Sequence, residues 1–254
     1  MRGAAEKRPV CLTIGGSDSC GGAGIQADLR VFDRFGVQGC SAITALTAQH
    51  PAAIIRIEPA PLAQLDAELH AVFDYYDVAV VKTGMLFDAD RMALISALLA
   101  EHHAGRPLII DPVMVASSGR SLLAPAAVDT LIHALLPLAT LITPNIDEWA
   151  VLQAQFSDAS TQAHEPAAVA AQLGCAVLLK GGHAADAMLC DRLYLPSGAV
   201  HEFQHARAAW SQAAAHGTGC RLAAAIAAGV AHGKTVETAV DAAVEFLITD
   251  CKSI

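Results

Sequence analysis

The sequence predicts a single doubly wound α/β domain: a mostly parallel central sheet with helices on both faces and an antiparallel hairpin at one edge. Two observations predict the parallel part. Short apolar runs rich in β-branched residues recur at 10–14, 42–47, 78–81, 108–110, 141–143 and 176–179, as buried parallel strands do. Stretches of helical period lie between them at 24–35, 61–75, 89–102, 126–136 and 148–155, and strand then helix, repeated, builds a doubly wound sheet. The third observation predicts the edge, where runs 188–194 and 199–203 flank the turn Pro196-Ser197-Gly198.

In chain order, the first run ends at Gly15-Gly16, the loop that follows leads into the helix at 24–35, and strands and helices then alternate to Lys180. After the hairpin come two Ala-rich helices, 218–231 and 236–247, separated by His232-Gly233-Lys234. At 254 residues and 54% hydrophobic content, one large core is expected rather than two small ones.

Charge and composition narrow the function classes. A net charge of -9 argues against general affinity for nucleic acid or anionic membranes, so an anionic substrate must meet a local positive site. The apolar run after Arg2, Lys7 and Arg8 is too short for a signal-peptide core. The Ala-rich stretch 222–231 falls well short of the roughly 20 residues that span a bilayer. Seven cysteines, an odd number without a C-x-x-C pair, fit a reducing cytoplasm better than disulfides or a zinc framework.

In open α/β sheets, ligands bind beyond the carboxyl ends of the strands, and the polar motifs fall there. The loop Gly15-Gly16-Ser17-Asp18-Ser19-Cys20-Gly21-Gly22-Ala23-Gly24 allows close approach of backbone to a ligand. Residues 22–27 match G-x-G-x-x-G/A, but no Asp or Glu between Asp33 and Glu58 stands ready to hold a ribose, which counts against a dehydrogenase. Asp28 either complements the helix dipole or accepts hydrogen bonds from a small molecule. Asp111, before Pro112, ends an apolar strand and projects toward the cleft. Asn145 and Glu148 form either a capping box or, with Asp111, ligands for Mg²⁺ and its waters.

Lys180, before Gly181-Gly182-His183, either lies in solvent or aims a point charge at phosphate. His216-Gly217-Thr218-Gly219-Cys220 opens a helix and offers consecutive amides to an anion. Cys220 in that first turn is either a buried small residue or a dipole-favoured thiolate that serves as base. The stretch 229–235 only imitates a Walker loop, lacking one residue between its glycines and a preceding strand.

These motifs, together with Ile43-Thr44-Ala45-Leu46-Thr47-Ala48-Gln49 and Lys82-Thr83-Gly84-Met85-Leu86, resemble the hydroxymethylpyrimidine/phosphomethylpyrimidine kinase family of the ribokinase superfamily. The resemblance implies a ribokinase-like three-layer α/β/α fold and a homodimer. It also implies phosphorylation by ATP of 4-amino-5-hydroxymethyl-2-methylpyrimidine, and often of its monophosphate, in thiamine biosynthesis.

By the same resemblance, Gly16, Ala23, Asp28, Gln49, Met85 and Val113 contact the pyrimidine. Asp111 and Glu148 organise Mg²⁺, and Lys180, Asn145 and Thr218 hold phosphate. Gly217, Thr218, Gly219 and Cys220 form the anion hole, with Cys220 as base. The chain departs from the family pattern with Ala214-Ala215 where Asn-Thr is usual, Arg221 where Thr is common, Ser19-Cys20 where Pro-Ser is common, and an earlier end. A pyridoxal kinase and a pyrimidine-binding protein without catalysis are the competing readings.

Overall fold

The computed structural model describes residues 8–116, 119–124, 126–156, 165–181, 188–206 and 215–250. Arg2, Lys7, Gly182, His183 and Ala214 lie outside them. One nine-stranded sheet carries the fold, in the order β3-β2-β1-β4-β5-β6-β7-β8-β9. β1 (Val10–Asp18), β2 (Gln38–His50), β4 (Val78–Thr83), β5 (Leu108–Ile110), β6 (Leu141–Ile142) and β7 (Ala176–Leu179) pair in parallel. The hairpin at one edge is β8 (Met188–Tyr194) and β9 (Val200–Ala206), turning at Gly198 with φ of 87°. The opposite edge carries a second antiparallel strand, β3 (Ala53–Pro59), paired with β2 and absent from the sequence reading.

Two helical layers cover the sheet. On one face α2 (Leu62–Phe73), α3 (Ala89–His102) and α4 (Ala127–Thr130) bury Leu65, Leu69, Met92, Ile95 and Val128. α5 (Ile146–Gln155) and α6 (Pro166–Leu173) extend that layer. The helix expected over 126–136 is α only as far as Thr130, then widens to a π turn at Leu131–Leu135 and tightens to a 3₁₀ turn at Leu136–Leu138, where Pro137 cannot donate an amide.

On the other face α1 (Gly24–Arg34), α7 (Thr218–Ala231) and α8 (Val236–Asp250) bury Phe32, Ile226 and Val240. The alanines at 223–225, 227 and 228 are sealed. That explains the composition of α7, whose small side chains let the backbone approach sheet and α8 from all sides. Among the described residues, no helix is long and apolar enough to cross a membrane.

The chain reverses direction across the sheet at β1: β2 lies on one side and β4 on the other. Such a switch point opens a crevice at the strand ends. Gly16 and Asp18 at the end of β1, and Lys82 to Met85 at the end of β4, border it.

Candidate active site

A cleft of about 920 Å³ opens over the strand ends. Every site residue named from the sequence lines it, on one side Gly16, Gln49, Met85 and Val113, and on the other Asp111, Lys180 and the start of α7. Residues more than 200 positions apart thus meet because six strand ends and three helix N-termini converge there.

The first side is a hollow of backbone and apolar side chain. Gly16 carries no Cβ, and one placed there would lie 3.1 Å from the Met85 methyl, so Met85 packs directly on the strand. Thr44 Oγ1 donates to the Met85 carbonyl at 2.6 Å and fixes the β4 end against β2. Gln49, half-buried near the end of β2, has its backbone held to Ser19 by two 2.9 Å hydrogen bonds.

Asp28 lies under this hollow and neither caps a helix nor reaches solvent. Its Oδ2 accepts from Lys82 Nζ at 2.8 Å and Thr13 Oγ1 at 2.6 Å, and both partners of the ion pair are 1% exposed. Burial draws both charges toward their neutral forms, but Asp28 overrides it at Lys82 and raises the lysine. We therefore take the pair as ionised, which replaces the dipole-complement reading. Asp28 Oδ1 is buried without a hydrogen-bond partner. Lys82 stood in the sequence motifs without a role: its strand-end position was legible, its burial against Asp28 was not.

The other side centres on Lys180, which follows β7 and forms a parallel bridge with Asn145. Lys180 Nζ donates to Asp111 Oδ1 at 2.9 Å and lies 4.0 Å from Glu148 Oε2, so the solvated-lysine reading is set aside. The capping box is also real, with the Asn145 amide donating to Glu148 Oε2 and the Glu148 amide to Asn145 Oδ1, each at 2.8 Å. Both open readings of this motif hold, because one Glu148 carboxylate caps α5 and faces the lysine. Burial pushes Glu148 up to about 7, with Lys180 opposing and Asp111 reinforcing.

Two facing carboxylates, one with a raised pKa, suit a divalent cation that would relieve their repulsion. Since the Asn145 and Met114 amides already hold Glu148, a hard cation that keeps several waters, as Mg²⁺ does, fits the donor set.

α7 begins at Gly217, whose φ of 79° is open to glycine and strained for other residues. A Cβ there would stand 2.1 Å from the Gly22 carbonyl oxygen, so the glycine-rich loop and the α7 start are in direct backbone contact. A Cβ on Gly219 would lie 3.3 Å from Lys180 Nζ, which sets the ammonium beside the unpaired first-turn amides. Arg221, buried in that turn, donates to the His216 carbonyl at 3.1 Å.

Cys220 lies in the same turn beside Lys82. Burial pushes its thiol up to about 11; Lys82 and the Gly24 amide oppose, while Asp111 and Asp28 reinforce. That favours, of the two readings of Cys220, the buried thiol over the dipole-favoured thiolate at neutral pH. The side chain is only partly exposed, so desolvation outweighs the dipole.

First-turn amides, an ammonium and a carboxylate pair stand on one side of the cleft and an apolar hollow on the other, an arrangement of the class found in ribokinase-like small-molecule kinases. Residues 18–253 match the family model described as phosphomethylpyrimidine kinase, and the chain belongs to that family. It is 40% identical to the hydroxymethylpyrimidine/phosphomethylpyrimidine kinase of Rhizobium meliloti, over 94% of this chain and 88% of that one. The kinase of the same description from Haemophilus influenzae is 42% identical, over 93% and 88%.

Among solved structures, phosphomethylpyrimidine kinase from Clostridium difficile 630 superposes with a TM-score of 0.80 at 32% identity, covering 96% of this chain and 99% of that one. Pyridoxal kinase from Staphylococcus aureus, in complex with AMP-PCP and pyridoxal, gives 0.81 at 26% identity, covering 96% and 87%.

Proposed function

We propose that this chain transfers the γ-phosphoryl group of ATP to the hydroxymethyl oxygen of 4-amino-5-hydroxymethyl-2-methylpyrimidine, and then phosphorylates the monophosphate. It would act in thiamine biosynthesis, as a cytoplasmic homodimer. The observation that carries the reading is the single cleft: acceptor residues and phosphate residues line it together, with Cys220 among the latter.

Gly16, Ala23, Met85 and Val113 would hold the ring, and Gln49, with both donor and acceptor, would meet its adjacent amino and ring nitrogen. Asp28 would hold Lys82 and present its unpartnered Oδ1 toward the acceptor. Lys180, Asn145 and the amides of Gly217 to Cys220 would position the phosphates and neutralise charge spread over the moving phosphoryl oxygens. Asp111 and Glu148 would hold Mg²⁺ through its waters; when bound, that ion neutralises phosphate charge. In a loose transition state the hydroxyl proton leaves late, so Cys220 would act as base in the fraction of chains whose thiol has ionised, taking that proton onto its sulfur.

The test is ADP release with Mg-ATP, comparing the pyrimidine, its monophosphate and pyridoxal as acceptors. Turnover with the pyrimidines at least tenfold above pyridoxal is expected. Preference for pyridoxal, in keeping with the Staphylococcus aureus neighbour, would replace the reading. Binding of the pyrimidine without ADP release would move the chain to the non-catalytic class.

A further inference from the structure

Outside the phosphate side, a second group of ligating atoms stands where the glycine-rich loop meets the start of α7. Asp18 Oδ2 lies 2.9 Å from His216 Nε2 and 3.4 Å from Cys20 Sγ, and one ligand atom from each residue falls within 4.8 Å of the others. An imidazole nitrogen and a thiol therefore converge on one carboxylate oxygen. We propose that Asp18, Cys20 and His216 bind a zinc-class divalent cation, separate from the Asp111–Glu148 pair, that ties the glycine-rich loop to the segment opening α7.

Tetrahedral zinc with ligand distances of about 2.0–2.3 Å spaces neighbouring ligand atoms by roughly 3.3–3.7 Å. The thiol–carboxylate spacing already matches, and the imidazole–carboxylate spacing needs a few tenths of an ångström of opening. The ligand set selects the metal class, since thiolate and imidazole favour zinc-like ions while Mg²⁺ prefers oxygen.

The shell is held in advance. Asp18 Oδ1 accepts from the Cys20 amide at 2.9 Å, Asp18 Oδ2 accepts from the Ala23 amide at 2.8 Å, and the Asp18 amide donates to Gln26 Oε1 at 2.8 Å. Asp18 and His216 are buried while Cys20 is exposed, so the thiol is the side from which the ion arrives. Cys20 releases its proton to solvent, and the imidazole turns its Nε2 lone pair to the ion with its proton on Nδ1, an atom that is buried without a partner in the metal-free protein.

The experiment titrates the metal-free, reduced full-length chain with Co²⁺ and follows the thiolate-to-cobalt charge-transfer absorption, then displaces it with Zn²⁺. One saturating band per chain, with one proton released per metal, is expected. Cys20→Ser keeps the shape and packing of the loop and is expected to bind at least tenfold more weakly with no such band. His216→Gln is expected to weaken binding by a similar factor. No band in the unmodified chain, or the same band at the same Co²⁺ concentration in Cys20→Ser, overturns the site; unchanged affinity in His216→Gln overturns the three-ligand assignment.

Discussion

Replacing Lys82 by Met should cost this protein more stability than any surface charge could. The side chain is 1% exposed, as is Asp28, and the 2.8 Å bond from Nζ is one of only two that Asp28 Oδ2 accepts, the other coming from Thr13. Met keeps the length and most of the volume, so the cavity contribution is small and the loss is electrostatic. Removing one member of a buried pair leaves the other uncompensated, at about 3–5 kcal/mol.

Urea unfolding monitored by circular dichroism measures the change. The decisive comparison is the double variant Lys82→Met with Asp28→Asn, which removes both charges and should be less destabilised than the sum of the singles by about 1–3 kcal/mol. The deficit also has a sign in pH. With Lys82 gone, burial holds the Asp28 carboxyl above its unfolded value of about 3.9, so the folded chain binds the extra proton. Its stability then falls as pH rises through that window, and the deficit against the unmodified protein is smallest near pH 4 and grows toward neutrality. A single-variant cost below about 1 kcal/mol with additive singles would refute the buried ion pair.

Three further outcomes follow from the same geometry. With Glu148 pushed up to about 7 by burial, protons compete with a cation below that pH, so the Mg²⁺ needed for half-maximal ADP release should rise up to tenfold per unit on acidification and level off above it. Glu148→Gln should abolish that dependence; a flat profile in the unmodified protein would remove Glu148 from the metal site. With the Cys220 thiol up at about 11, a base role makes kcat climb with pH above neutrality toward that value. Cys220→Ala should lower kcat by about 10²–10⁴ and flatten the profile while leaving pyrimidine affinity nearly unchanged, as calorimetry and steady-state kinetics would measure. Gly217→Ala must adopt φ near 79° against the Gly22 carbonyl, so it should lose at least about 1–2 kcal/mol in urea unfolding and most of its turnover.

The parallel strands were legible because each is a short apolar run closed by a glycine or polar motif, and the site was legible because those motifs sit at strand ends. β3 was not, since an edge strand such as Ala53–Pro59 buries little and alternates weakly. α6 was overlooked although it carries a signal: Pro166 opens the helix and Gly174, at φ of 66°, closes it, the usual asymmetry of helix ends. The two readings of Cys220 could not be separated from sequence because a helix dipole is a local feature, whereas what raises the thiol is its burial and the carboxylates of Asp111 and Asp28 on distant segments.

Lys82 and Lys180 show the same limit from another side. Each lysine comes at or just after the end of a parallel strand, each precedes glycine within two residues, and each pairs with an aspartate on another segment. Sequence cannot tell them apart; exposure does. The Lys82–Asp28 pair is sealed at 1% on both sides, so its charge is spent on its partner and acts on the cleft as a fixed field beside Cys220. Lys180 keeps 13% of its side chain open and shares its ammonium between Asp111 and Glu148. That makes Lys180 the lysine able to exchange a carboxylate for an arriving phosphate, and substitution at the two positions should separate accordingly. Lys180→Met should lower kcat and nucleotide affinity, whereas Lys82→Met should show first as the loss of folding stability worked out above.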